Sequence, residues 1–77
     1  MAKKPQYSQG QYVIRKRSWS AETGNLSPWS YLPDVFDDLE DAQYQAEDME
    51  VPDTAMEFVV QVLDYDGNIV GGAVYSD

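Results

Sequence analysis

The sequence predicts an α+β domain in which one amphipathic helix packs on a face of a three-stranded antiparallel sheet, in the order β-α-β-β. Three observations predict it. Apolar residues recur at intervals of three and four between Val35 and Met49, two β-branched runs meet at Asp66 and Gly67, and an earlier segment, QYVIRKRSW, alternates imperfectly as a strand does. With 77 residues, 43% of them apolar, the chain can build one core and no more. It has no cysteine, so neither a disulfide framework nor a thiolate can contribute.

Residues 1–10, MAKKPQYSQG, combine Pro, Gly, Gln and Ser with little apolar content and read as a flexible basic tail, which leaves 11–77 as a single domain. In the first strand, Tyr12 and Ile14 share one face, and Val13, Arg15, Arg17 and Trp19 share the other. The stretch SAETGNLSPWSYLP is long for a simple connection. It reads as a functional loop or as holding a short hairpin around Thr23, Gly24 and Asn25. After Pro33, Asp34 is a candidate N-cap, and Val35, Phe36, Leu39, Ala42, Ala46 and Met49 fall within about 140° of helical arc, a stripe wide enough to lie on a sheet. Pro52 disfavours helical backbone at Val51 and ends the helix near Glu50.

EFVVQVLDYDGNIVGGAVY reads as a hairpin on a type I′ turn at Asp66 and Gly67. That register sets Phe58 opposite Tyr75, Val60 opposite Ala73, Val62 opposite Gly71, Val59 opposite Val74 and Leu63 opposite Val70. Both faces of the hairpin are apolar, and one helix covers only one. The other requires the loop around Trp29 and Tyr31, a second copy of the chain, or a partner. A direct crossover orders the three strands 1-3-2, and a reversal of direction in the long loop orders them 1-2-3.

The residue inventory excludes most chemistry. With no histidine and no cysteine, the usual general bases, nucleophiles and soft metal ligands are missing, so the chain is expected to be neither an enzyme nor a cofactor protein. Asp64, Asp66, Gly67 and Asn68 are placed like part of a calcium loop, but the glycine falls at position four rather than six, and position twelve is Tyr75. A hairpin turn accounts for them better. Arg15, Lys16 and Arg17 beside Trp19 could suit nucleic acid, yet a strand divides them between two faces, and protection of an edge strand or pairing with the chain's own acids is the simpler role. No stretch approaches a membrane span, and MAKKP is not followed by an apolar signal region, which points to the cytoplasm.

What the sequence does concentrate is negative charge. The net charge is −9, and all five basic residues lie within the first 17 positions, so that fourteen acids and no bases follow Arg17. Such a chain should repel nucleic acid and attract basic partners. Asp37, Asp38, Glu40, Asp41, Glu47, Asp48 and Glu50 are expected on the outward side of the helix, with Tyr44 among them. Soluble helices usually interleave lysines there and gain from the pairing. Here none is interleaved, and a helix from Asp34 to Glu50 would rise about 24 Å and carry a carboxylate every ~3 Å, close to the phosphate spacing of one DNA strand. A basic nucleic-acid-binding surface is the partner this charge density fits.

A cysteine-free, strongly acidic domain of this size, with Asp37, Asp38, Glu40, Asp41, Glu47 and Asp48 displayed on a helix, resembles the small phage-encoded anti-CRISPR proteins. The resemblance lies in size, charge and the acidic helix. It implies a non-catalytic inhibitor in the cytoplasm of a bacterial host, a DNA mimic that occupies the basic surface of a CRISPR effector subunit without contacting nucleic acid directly. The eight residues Asp37, Asp38, Glu40, Asp41, Tyr44, Glu47, Asp48 and Glu50 would bind the partner. The alternative is a general protein-interaction module, or a homodimer built on an apolar sheet face.

Overall fold

The computed structural model describes residues 4–20, 24–53 and 55–76. Five elements follow one another: β1 (Tyr12–Ser20), β2 (Ser30–Phe36), α1 (Leu39–Glu47), β3 (Ala55–Leu63) and β4 (Ile69–Ser76). The α+β class with one helix on an antiparallel sheet is as expected. The sheet, however, has four strands rather than three, in the order β2-β1-β3-β4.

The additional strand is β2, formed by residues that helical periodicity assigned to a loop and the start of a helix. Val35 and Phe36 fit either period, and Pro33 looked like a helix boundary. A proline is equally at home in an edge strand, where its missing N–H costs no ladder bond, and β2 is an edge. It pairs antiparallel with β1, Tyr12 facing Phe36 and Lys16 facing Ser30. The chain thus reverses direction between β1 and β2. Gly24 N–H donates to the Ser20 carbonyl, and Trp19 bridges to Leu26. Of the hairpin expected around Thr23, Gly24 and Asn25, Thr23 lies outside the described residues.

Because β1 is antiparallel to both neighbours, β2 and β3 run parallel, and α1 is the crossover between them. This yields β1-β3-β4 for the three strands expected from sequence, the order that a reversing loop implies. It also makes β1 an interior strand. The view of Arg15, Lys16 and Arg17 as guards of an edge is therefore corrected.

The β3–β4 register follows the expected pairs from Phe58 opposite Tyr75 to Val62 opposite Gly71, then shifts so that Leu63 faces Ile69 and not Val70. The turn explains the shift. A type I′ turn needs positive φ at both central residues, yet among the described residues no non-glycine has one, and within this turn only Gly67 is positive, at 86°. Gly67 N–H donates to the Asp64 carbonyl and Asp64 N–H to the Asn68 carbonyl, so three residues are looped out instead of two. Asp64 Oδ1 also accepts from Asn68 N–H at 2.8 Å. These oxygens serve a turn.

The core lies between the helix and one sheet face. Ile14, Phe58, Val60 and Val62 from the strands meet Ala42 and Ala46 from α1, with Tyr12, Leu32, Phe36, Leu39, Met49 and Tyr75 packed around them. The two alanines let the helix backbone come close, and the Tyr75 hydroxyl donates to the Ala46 carbonyl at 2.7 Å. From the helix, one side chain ties α1 to the backbone of the edge strand. Gln43 Nε2 donates to the Gly72 carbonyl at 2.9 Å, and its Oε1 accepts from Gly72 N–H at 2.7 Å. The side-chain amide thus bonds the edge peptide as a neighbouring strand would. Gly72, at φ 144°, admits this geometry, and a Cβ there would run into the Val60 carbonyl.

Gly72→Ala should therefore lower the free energy of unfolding by about 2 to 4 kcal/mol, since both the backbone conformation and the space oppose a side chain. Urea titration followed by circular dichroism measures it. A loss below about 0.5 kcal/mol would show that the strand can relax around the substitution.

Candidate functional site

The helix is shorter than its periodicity suggested. It comprises nine residues, Leu39–Glu47, capped by Asp38, whose side chain accepts from Glu40 N–H at 2.9 Å. Asp34, the cap expected from sequence, lies exposed in β2. At 1.5 Å per residue the helix is about 13.5 Å long, so the row of carboxylates at phosphate spacing over about 24 Å does not form. A more local arrangement replaces it.

Tyr44 is at the centre of that arrangement. On a helix surface the neighbours of residue i are i−4, i−3, i+3 and i+4, and for Tyr44 these are Glu40, Asp41, Glu47 and Asp48. All four are exposed carboxylates, and Tyr44 itself is 70% exposed. With Leu39, Ala42, Gln43 and Ala46 turned to the sheet, the five residues span about 120° of outward arc. The result is a tyrosine between two acidic pairs about 10 Å apart along the axis. Leu39, Gln43, Val70, Glu40, Tyr44 and Glu47 line a shallow groove between α1 and β4.

The other expected site residues fall elsewhere or have local roles. Asp37 accepts from Gln11 Nε2 at 2.8 Å, and Asp38 is the cap. Glu50 lies beyond the helix, in a shallow depression shared with Lys16, Met49 and Asp53. Electrostatics further separates the acids on the helix. Glu40 and Asp41 stand in the first turn, where the helix dipole favours negative charge. Glu47 and Asp48 stand at the opposite end, where it does not, and no basic residue occupies the last turn. Gln43 Nε2 donates to Glu47 Oε1 at 3.2 Å, while Asp48 receives no side-chain bond among the described residues.

The opposite sheet face carries a feature that sequence reasoning divided into separate parts. Trp29, just before β2, lies over both arginines of β1, with the Arg15 and Arg17 guanidinium carbons 4.2 and 4.4 Å from its ring centroid. Arg15 Nε also donates to Gln61 Oε1 at 2.8 Å. Further along this face, Val13 and Leu63 are 0% and 2% exposed. The segment before β1 reaches the same end of the sheet: the Tyr7 hydroxyl donates to the Asp64 carbonyl at 2.6 Å, and its ring meets Tyr65 edge-on. The loop around Trp29 thus supplies part of the cover that the second face required. The strand spacing of Arg15 and Arg17 and the expected cover by the Trp29 loop hinted at the parts but not at their contact, because Trp29 comes from the loop before β2.

Among the described residues no group of three or more histidine, cysteine or acidic residues is placed to hold a metal ion, and no helix is long and apolar enough to cross a membrane. Compared with protein-family models, curated proteins and solved structures, the chain matches none.

The helix makes opposite predictions for its two ends. Asp38→Ala should lower stability by about 0.5 to 2 kcal/mol through the lost cap. Asp48→Lys should raise it by about 0.3 to 1 kcal/mol by complementing the dipole. Urea midpoints of both variants against the parent measure these signs, and a destabilised Asp48→Lys protein would reveal a structural role for that carboxylate.

Proposed function

We propose that the chain is a non-catalytic inhibitor that lays the acidic face of α1 on the basic nucleic-acid-binding surface of a bacterial defence protein, of the kind a CRISPR effector presents to target DNA. The observation that carries this reading is the environment of Tyr44, exposed and flanked at all four neighbouring helix positions by carboxylates. A helix that needed only solubility would gain from lysines at two of those positions. Instead, two acidic pairs hold a large, fairly rigid aromatic side chain between them.

Such a surface fits a partner with two cationic clusters about 10 Å apart, on either side of a recess for the ring. Tyrosine contributes contact area at low entropic cost. The carboxylates supply complementarity and speed encounter through the field of a chain with net charge −9. Occupying residues that otherwise hold phosphates excludes the nucleic acid, and no reaction is required. This role also suits the short helix, since mimicry here rests on paired charges and one anchor, not on a continuous phosphate row.

Charge reversal separates the interaction from the fold. Asp41→Lys combined with Asp48→Lys should keep the circular dichroism spectrum and weaken partner binding by at least about 100-fold, and Tyr44→Ala by about 10-fold or more. The measurement is capture from bacterial lysate at low and high salt, followed by mobility shift of the captured protein's own DNA with and without the chain. Equal capture by parent and reversed variant would refute the reading, and so would a captured protein that still binds its DNA.

A further inference from the structure

The cationic cluster on the sheet face away from the helix is not used by an acidic-helix inhibitor, and it stands out in this chain. Fourteen acids are available, yet among the described residues neither Arg15 nor Arg17 forms an ion pair. Their company is an indole ring and, for Arg15, the amide of Gln61. Arg17 Nε is buried and has no hydrogen-bond partner among the described residues. A buried charged donor without an acceptor is uncommon and costs stability. Two guanidiniums within 4.4 Å of one ring centroid also repel one another. An anion from outside the chain that met the guanidiniums at their more accessible Nη ends would offset that repulsion, while the buried Nε of Arg17 stays beyond its reach.

The surroundings specify the anion further. Arg17 faces Val59 across β1 and β3, and Val59 faces Val74 across β3 and β4, so an apolar row runs from the arginines to the sheet edge. Val74 is 64% exposed and Trp19 36%. Glu57, opposite Trp19, bounds the patch with a negative charge. We infer that the Arg15–Trp29–Arg17 stack, with Val59 and Val74 beside it, is a docking surface for a short acidic segment of a protein partner, its carboxylates on the guanidinium forks and a neighbouring apolar side chain on the valines. Planar guanidiniums match carboxylates two bonds at a time, and stacking on Trp29 holds them in place before the ligand arrives, which reduces the entropy lost on binding.

A single-stranded nucleic acid is the less suitable occupant. Its bases would have to compete for the Trp29 ring with the two guanidiniums that already lie over it. Two cations release few counterions, while the chain's field opposes a polyanion more strongly than a peptide with two carboxylates. Free phosphate would leave the apolar row unused. The surface lies on the other side of the sheet from α1, so its occupancy is independent of the acidic face.

The test is a nitrogen-15 NMR titration of the full chain with acetyl-Leu-Glu-Glu-Leu-amide, with the Leu-Gln-Gln-Leu analogue and a dT octanucleotide as comparisons. The glutamate peptide should shift the Nε–H signals of Arg15 and Arg17 and the Trp29 indole N–H, with millimolar affinity. The glutamine analogue should bind at least about 10-fold more weakly. Arg15→Lys with Arg17→Lys keeps the charge but removes forks and stacking, and should weaken binding by about 10-fold. If that variant does not fold, exposed Val74→Ser serves in its place, with a loss of about 3-fold. Asp41→Lys with Asp48→Lys should leave the shifts at the arginines in place. Equal binding of the two peptides, shifts confined to other residues, tighter binding of the octanucleotide, or no shift up to about 10 mM peptide would each overturn the inference.

Discussion

The two hydrogen bonds between the Gln43 side-chain amide and the peptide of Gly72 set the orientation on which the rest of the surface depends. They fix the helix about its own axis against the edge strand, while Ala42 and Ala46 bring its backbone close to the sheet. Once Gln43, Ala42, Ala46 and Leu39 face inward, the helical period leaves Glu40, Asp41, Tyr44, Glu47 and Asp48 facing out. A nine-residue helix is too short to hold itself together in water. Its order comes from the sheet, so the display of its acids is a tertiary property. The same contact occupies the outward peptide groups of β4 at Gly72, as Pro33 interrupts those of β2, so each edge of the sheet is blunted near its middle.

Counting acids overstates how many are free to bind a partner. Asp38 caps the helix, Asp64 ties the β3–β4 turn, and Asp37 is held by Gln11. Glu40 and Asp41 stand where the dipole favours them. On α1 itself, what remains without help from the dipole or a cap is the pair at its far end, and above all Asp48, since Gln43 Nε2 donates to Glu47. The functional weight of the helix therefore rests on fewer groups than its composition implies, arranged around one tyrosine.

The sheet separates two surfaces of opposite character. The helix side carries the carboxylates, and the other side carries two arginines stacked on an indole. Strand alternation is the cause, because Arg15 and Arg17 share the parity of Val13, which points away from the core, and Lys16 shares that of Ile14, which points into it. An interior strand with cations on its open face is acceptable here because Trp29 covers their apolar faces. The chain is thus polarised in space as well as in sequence.

Composition and periodicity by themselves determined the class, the single helix with Ala42 and Ala46 on its inner stripe, the β3–β4 hairpin and most of its register. These depend on neighbours within a few residues or on strict alternation, both of which are local. Periodicity could not decide where the helix began. Val35 and Phe36 satisfy a period of two as well as one of 3.6, and the choice fell to β1, whose edge offered hydrogen bonds to a returning strand. That pairing shortened the helix, moved the cap from Asp34 to Asp38, made β1 interior and carried Trp29 over the arginines. Each of these joins residues distant along the chain, and only the tertiary structure decided them, because backbone groups pair with whatever strand the whole fold brings alongside.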